Sequence, residues 1–328
     1  MTSLAIPFRP ALRPQATVVS PTRPPLAVVP IPQREKTRSA LIVGINYNGA
    51  NKLRGCVEDA TRMEDLLVKE YGLKAERLIR LRDKQATAAN IIDSIKKLAV
   101  NPTDYVHVIY SGHGSYLPDL TGDEDDRRDE VLVPWDYDRG LILDDELWQL
   151  WRLFPATTTL FLHMDSCHSA TVARGFTLAS IKDRVKKYWH DRKARFLDAS
   201  EITTAAAISA RQGYADTRSH VVGRLYNAIT TPAEMVATRN PDPVCQIVSL
   251  SGCQDWQESA DAQINGKWCG AMTNYFLAAR KSLGGSVSWE AVHSETERLL
   301  RTNGYAQLPM LGVCNSPDDE ILKRPLFV

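Results

Sequence analysis

Two stretches of this chain, Tyr105 to Tyr110 and Thr157 to Met164, are filled with apolar and β-favouring side chains and then stop at polar knuckles. Apolar residues fall on both alternating faces, as expected for central strands of a parallel sheet covered on both sides. Ala40 to Ile45, Arg77 to Arg82 and Gln246 to Leu250 read as further strands, with Val131 to Pro134 and Gln307 to Val313 as short ones. Helical spacing takes over between them. Met63, Leu66, Leu67 and Tyr71 line one face of a helix from Val57 to Tyr71, which Gly72 closes. Thr87 caps a second helix with the stripe Ile91, Ile92, Ile95 and Leu98. Leu147, Leu150 and Trp151 mark a third, and Ala271 to Leu283 and Glu290 to Leu300 two more. Strands alternating with helices predict an α/β fold with right-handed crossovers and a mostly parallel sheet of about six strands.

Composition sets the limits of the folded part. Residues 1–38 contain eight prolines, six Arg or Lys and a single acid, Glu35, which predicts a disordered, partly polyproline leader. An apolar signal core is absent there, and the prolines spoil the amphipathic helix of a transit peptide. The remainder, 39–328, divides into 39–175, a basic insertion over 176–245, and 246–328. A net charge of +1 provides no global field toward nucleic acid or membrane, and no run of 18 apolar residues occurs. Six cysteines, scattered without a C-x-x-C pair, argue against a zinc ribbon or a disulfide framework and suggest a reduced, cytoplasmic setting.

The chemistry sits where the two central strands stop. One ends in Ser111-Gly112-His113-Gly114, the other in Asp165-Ser166-Cys167-His168-Ser169. Ligands bind outside the carboxyl ends of such strands. A thiol and an imidazole on neighbouring strand ends make a nucleophile–base pair, needed because a free thiol has a pKa of about 8.5 and only the thiolate attacks. His168 is a weaker base candidate, since adjacent side chains point apart. His107 and His163 lie within strands and read as packed or hydrogen-bonded. Cys56, Cys245, Cys269 and Cys314 read as inert core; Cys253, at a strand end, could reach the same edge.

Together with Ala40-Leu41-Ile42-Val43-Gly44-Ile45-Asn46-Tyr47, Leu53-Arg54-Gly55-Cys56-Val57-Glu58-Asp59-Ala60, Gly122-Asp123-Glu124-Asp125-Asp126 and Ser259-Ala260-Asp261-Ala262, these motifs resemble the metacaspases and their prokaryotic relatives. The resemblance covers about residues 39–175 and 245–314. It implies a caspase-like three-layer sandwich and a cysteine endopeptidase in which His113 is the base and Cys167 the nucleophile. The backbone N–H groups of Cys167 and Gly114 would form the oxyanion hole. Cleavage would follow Arg or Lys at P1, the substrate residue before the scissile bond.

Asp165, two before the thiol, should face the same side as Cys167. The resemblance adds Asp59 as a second carboxylate and Ser111 as a pocket wall. Asp255, just beyond Cys253, is a plausible third acid. On the residues alone, Asp59 reads as a surface acid in a helix's first turn. Many members of the family need calcium, and Asp129, Asp144 and Asp145 match three aspartates of that site. Hard carboxylate oxygens suit Ca²⁺. Arg174 stands where a fourth would be, so a counter-ion reading without calcium is the rival. Ala170 replaces the family's usual glycine. The basic run Lys182 to Arg195 offers Lys186, Lys187, Arg192, Lys193 and Arg195 as sites of self-cleavage. The expected enzyme is a monomeric precursor acting on protein substrates, with no nucleic-acid or membrane partner and no organic cofactor. A catalytically silent binding module of the same fold is the alternative.

Overall fold

A computed structural model of the chain describes residues 35–118, 128–166, 192–195, 243–253, 259–316 and 320–327. The strands are β1 Arg38–Gly44, β2 Leu78–Arg82, β3 Tyr105–Ser111, β4 Gly114–Pro118, β5 Arg128–Leu132 and β6 Ile142–Leu143. They continue as β7 Thr159–Asp165, β8 Arg192–Ala194, β9 Gln246–Ser251, β10 Ala260–Ile264, β11 Lys267–Gly270 and β12 Met310–Cys314. The helices are α1 Cys56–Tyr71, α2 Ala88–Val100, α3 Asp144–Trp151, α4 Ala271–Leu283 and α5 Trp289–Thr302.

Six strands make the central sheet in the order β12-β9-β7-β3-β1-β2. All neighbours run parallel except the edge strand β12, which pairs antiparallel with β9. Side-chain parity divides the core into two layers. Leu41, Val43, Val108, Leu160 and Leu162 face α2 and α3, meeting Ile91, Ile95, Leu147 and Trp151. Ala40, Ile42, Ile109, Phe161 and Val248 face the other way, onto Met63 and Leu67 of α1, Met272 and Phe276 of α4, and Trp289 of α5. This is the three-layer sandwich expected from the sequence. His107 and His163 lie on the second face, His107 stacked on Phe161 and His163 hydrogen-bonded to Thr273. Burial drives their pKa values down to about 3 and about 4, so both rings are neutral.

Local chemistry accounts for the element ends. Gly72 takes the left-handed conformation at φ 68° after α1, and the Thr87 hydroxyl accepts from the Asn90 N–H at the start of α2. β5 stops at Leu132, short of the expected Pro134, because proline has no N–H to donate to a ladder. Two small antiparallel sheets lie beside the main one: β4-β5-β6, and β11-β10-β8 with β8 on its edge. β8 comes from the basic insertion. Among the described residues no helix is long and apolar enough to cross a membrane.

Candidate active site

Parallel register brings the two chemical strand ends together. Ser111 of β3 pairs with Asp165 of β7, so positions 113 and 167 each lie two residues beyond a matched pair. Cys167 itself lies outside the described residues, as do His168, Ala170, Arg174 and Asp255.

His113 is fixed at its backbone and at its ring. Its N–H donates to the Tyr47 hydroxyl at 3.0 Å, and its carbonyl lies 2.7 Å from the Tyr110 hydroxyl. The Tyr47 ring packs against the imidazole at 4.7 Å between centroids. Burial holds both phenols above their ordinary pKa, so they remain protonated. The ring's Nε2 lies 2.8 Å from the Asn51 carbonyl. A carbonyl can only accept, so Nε2 carries the hydrogen and Nδ1 is the nitrogen able to take a proton. Tyr47 holds φ 54°, a left-handed conformation rare for a bulky residue.

Beside this histidine lies a buried pocket of acids, filled by Arg195, which is 0% exposed. Its Nη2 donates to Asp59 Oδ2 at 2.6 Å and to Asp261 Oδ1 at 3.3 Å. Its Nη1 donates to Ser111 Oγ at 2.7 Å and to the Asp165 carbonyl at 3.0 Å, and stands 3.3 Å from Asp165 Oδ1. The main chain of Arg195 is clamped as well. Its N–H donates to the Ser259 carbonyl at 2.9 Å, and its carbonyl accepts the Gly114 N–H at 3.0 Å.

Each acid is braced. Asp165 accepts from Ser259 Oγ at 2.8 Å, and from the Thr273 N–H at 3.0 Å and Oγ1 at 2.6 Å, at the positive end of α4. Asp59 accepts from Ser111 Oγ at 3.1 Å and the Gly270 N–H at 2.8 Å. Asp261 takes the Arg54 N–H at 2.8 Å and the Gly55 N–H at 3.0 Å. Gly270 has no side chain for a reason: a Cβ there would run into the Asp165 carboxylate and the guanidinium.

Burial works against charge on Asp165 and Asp59, with unequal results. For Asp165 it is outweighed by Arg195 and by the bonds from Thr273 and Ser259, which hold the carboxyl below its usual range. For Asp59 burial wins, and its pKa rises to about 7 despite Arg195. Emptying the pocket removes the cation and lifts Asp59 further, so guanidinium binding expels a proton between the two values. In an Arg195→Ala chain, affinity for arginine amide should therefore rise from about pH 7 upward, by at most about tenfold per unit. Calorimetry at successive pH values checks this, and Asp59→Asn should flatten the dependence.

Asp59 is thus 1% exposed at the pocket floor, which corrects its reading as a surface acid of a first turn. The third described carboxylate is Asp261, within the stretch Ser259-Ala260-Asp261-Ala262, a role that the motif alone does not reveal. Cys56 is buried near the guanidinium, its pKa raised by burial, and Cys253 is buried with its thiol 3.9 Å from the Ser166 carbonyl. Of the calcium candidates, Asp144 is buried in the first turn of α3, with Oδ1 accepting from the Asp145 N–H at 2.9 Å. Asp129 lies on β5, and the pairing of Val131 with Leu143 brings its backbone toward the same edge. Among the described residues no three His, Cys, Asp or Glu converge as a cation site.

Comparison with known proteins gives a consistent family. A family description, metacaspase, peptidase C14 domain, matches residues 38–174. Metacaspase-1 of Debaryomyces hansenii is 32% identical over 299 residues, covering 87% of this chain and 66% of that protein. Metacaspase-1 of Meyerozyma guilliermondii is 32% identical over 301 residues, covering 87% and 71%. The chain therefore spans about two thirds of the length of these relatives. The crystal structure of protein GSU0716 from Geobacter sulfurreducens superposes with a TM-score of 0.62 at 26% identity, over 89% of this chain and 98% of that one.

Proposed function

Because the chain belongs to the metacaspase family, we propose that it is a cysteine endopeptidase that cuts after Arg or Lys and processes its own basic linker. One observation carries the reading: Arg195 sits among three buried carboxylates with its carbonyl on the Gly114 N–H, the posture required of a P1 residue. A guanidinium facing buried acids forms charge-assisted bonds that no acidic P1 residue could replace.

In this mechanism the His113 Nδ1 takes the proton from the Cys167 thiol. The thiolate attacks the P1 carbonyl carbon, and the carbonyl π electrons move onto oxygen, where the Gly114 N–H and that of Cys167 receive the charge. Removing such a donor lowers turnover by about 10²–10³ where it has been measured. Collapse breaks the C–N bond, and the His113 imidazolium protonates the leaving amine. Water, deprotonated by the same ring, then hydrolyses the thioester and restores the thiol. The Asn51 carbonyl keeps the ring in the tautomer that both halves require.

Self-processing follows from the same contacts, with the 195–196 bond as the scissile one. The test is an arginyl or lysyl amide reporter: the wild-type chain should hydrolyse it, an aspartyl reporter should fail, and Cys167→Ala should lose the activity. Folded wild-type protein inert toward every basic reporter would favour a silent binding module instead.

Calcium, in this reading, rests on the family resemblance of Asp129, Asp144 and Asp145, whose hard oxygens suit the ion although they do not converge as a cation site among the described residues, and it would act outside the reaction path. Turnover should fall in EGTA and return with millimolar calcium. Full activity in EGTA would remove the ion and leave Arg174 as the counter-charge. The proposed enzyme is a monomer acting on protein substrates, and its catalytic thiol suits a reducing, cytoplasmic setting.

A further inference from the structure

Beyond the P1 pocket, we propose that a neighbouring recess selects an acidic residue at P3, two before the scissile Arg or Lys. This rests on the P1 reading above. β8 pairs antiparallel with β10, with Ala194 opposite Ala260, Lys193 opposite Asp261 and Arg192 opposite Ala262. A substrate following this path has its P3 backbone opposite Asp261. Side chains two apart in a strand share a face, so a P3 side chain leaves on the same face as P1, roughly 7 Å further along.

That face carries a recess of about 330 Å³ lined by Gly49, Ala50, Lys52, Arg54, Asp261 and Trp268. Trp268 pairs with Gln263, which lies two residues from Asp261 and so on the same face. Asp261 therefore forms the wall between the two sites. Its carboxylate is committed to the P1 guanidinium and to the N–H groups of Arg54 and Gly55. Among the described residues, the other charges lining the recess are the exposed cations Lys52 and Arg54. The Arg54 guanidinium lies over the Trp268 indole, 4.5 Å from the ring centroid, and is ion-paired with no carboxylate among the described residues. Stacking holds a planar cation in place while leaving its N–H edges able to receive a carboxylate.

An acidic P3 side chain would complete this recess, and a basic one would meet two like charges. The chain's own linker has a lysine, Lys193, at the position opposite Asp261. A protein substrate carrying Glu-x-Arg would then outcompete the linker.

The experiment compares X-Ala-Arg amide reporters with Glu, Lys or Ala as X, and an arginyl amide without P3, on the full-length chain. Arg195 competes equally with all of them, so ratios of kcat/KM are unaffected by self-occupancy. The Glu reporter should exceed the Lys reporter by about tenfold, and the ratio should shrink as salt rises. Arg54→Glu should bring the ratio to one or invert it. Lys52→Glu gives a second reading should the first variant fold poorly. Equal kcat/KM for Glu and Lys in wild type, or a ratio surviving both substitutions, would overturn the P3 assignment alone. Turnover of none of the arginyl reporters would overturn the P1 reading and this one with it.

Discussion

An Arg195→Ala chain should no longer be cut at residue 195, and it should unfold more readily than its parent. Both effects trace to one guanidinium. With it gone, Asp59, Asp165 and Asp261 are left in a buried pocket without their cation, and Asp59 is driven to take up a proton. Removing one partner of a buried ion pair costs about 3–5 kcal/mol where the survivor stays buried. Relief is available, because β8 is an edge strand of three residues and can lift away to admit water. The expected loss is therefore at or below the lower end of that range. Denaturant midpoints of Cys167→Ala chains with and without Arg195→Ala measure it free of cleavage. Arginine amide should stabilise the alanine chain and leave its Arg195 parent unmoved. Equal midpoints would mean that the pocket does not rely on its occupant.

The second large effect belongs to Asp165→Ala, which should lower kcat/KM for an arginyl reporter by about 10²–10³. Asp165 is the acid held below its usual range, so it supplies negative charge at any working pH. Its removal takes the counter-charge from the P1 cation and the acceptor from three bonds, those of Ser259 Oγ and of the N–H and Oγ1 of Thr273. Each buried donor left unsatisfied costs about 1–3 kcal/mol. Asp165→Asn keeps an acceptor for Thr273 and loses only the charge. It should fold nearly as well as wild type yet remain defective toward arginine. If the Asp165→Asn chain turned over the reporter at the wild-type level, shape and not charge would govern the pocket.

The sheet was readable in the sequence because both faces of its strands are covered, leaving long apolar runs with sharp polar ends. Cys56, Asp59, Met63 and Leu66 fall at positions i, i+3, i+7 and i+10 of α1, so helical phase alone puts Asp59 on the buried stripe. Position in the first turn, taken without that phase, points instead to a surface acid. Asp261 carried a signal too: an acid between two alanines, Ala260 and Ala262, that are buried in a strand. Asp255 drew attention instead through its nearness in sequence to Cys253. Arg195 was one of five basic candidates in the linker, and no local pattern separates it from Arg192 or Lys193. What singles it out is convergence of α1, β7 and β10 on one point, a long-range fact that linear spacing does not encode. The Asn51 carbonyl was equally hidden, since any residue offers one.

Under the proposed activity, the small sheet that β8 closes also sets what can be digested. Without β8, β10 offers a bare row of amide and carbonyl groups, and whatever docks there must lie straight for several residues. Helices and tight bends cannot present such a line, however many arginines they carry. On the proposed activity, vulnerable sites in a folded target should be tails, frayed ends and slack connections, so a victim's own conformation would decide where it is severed.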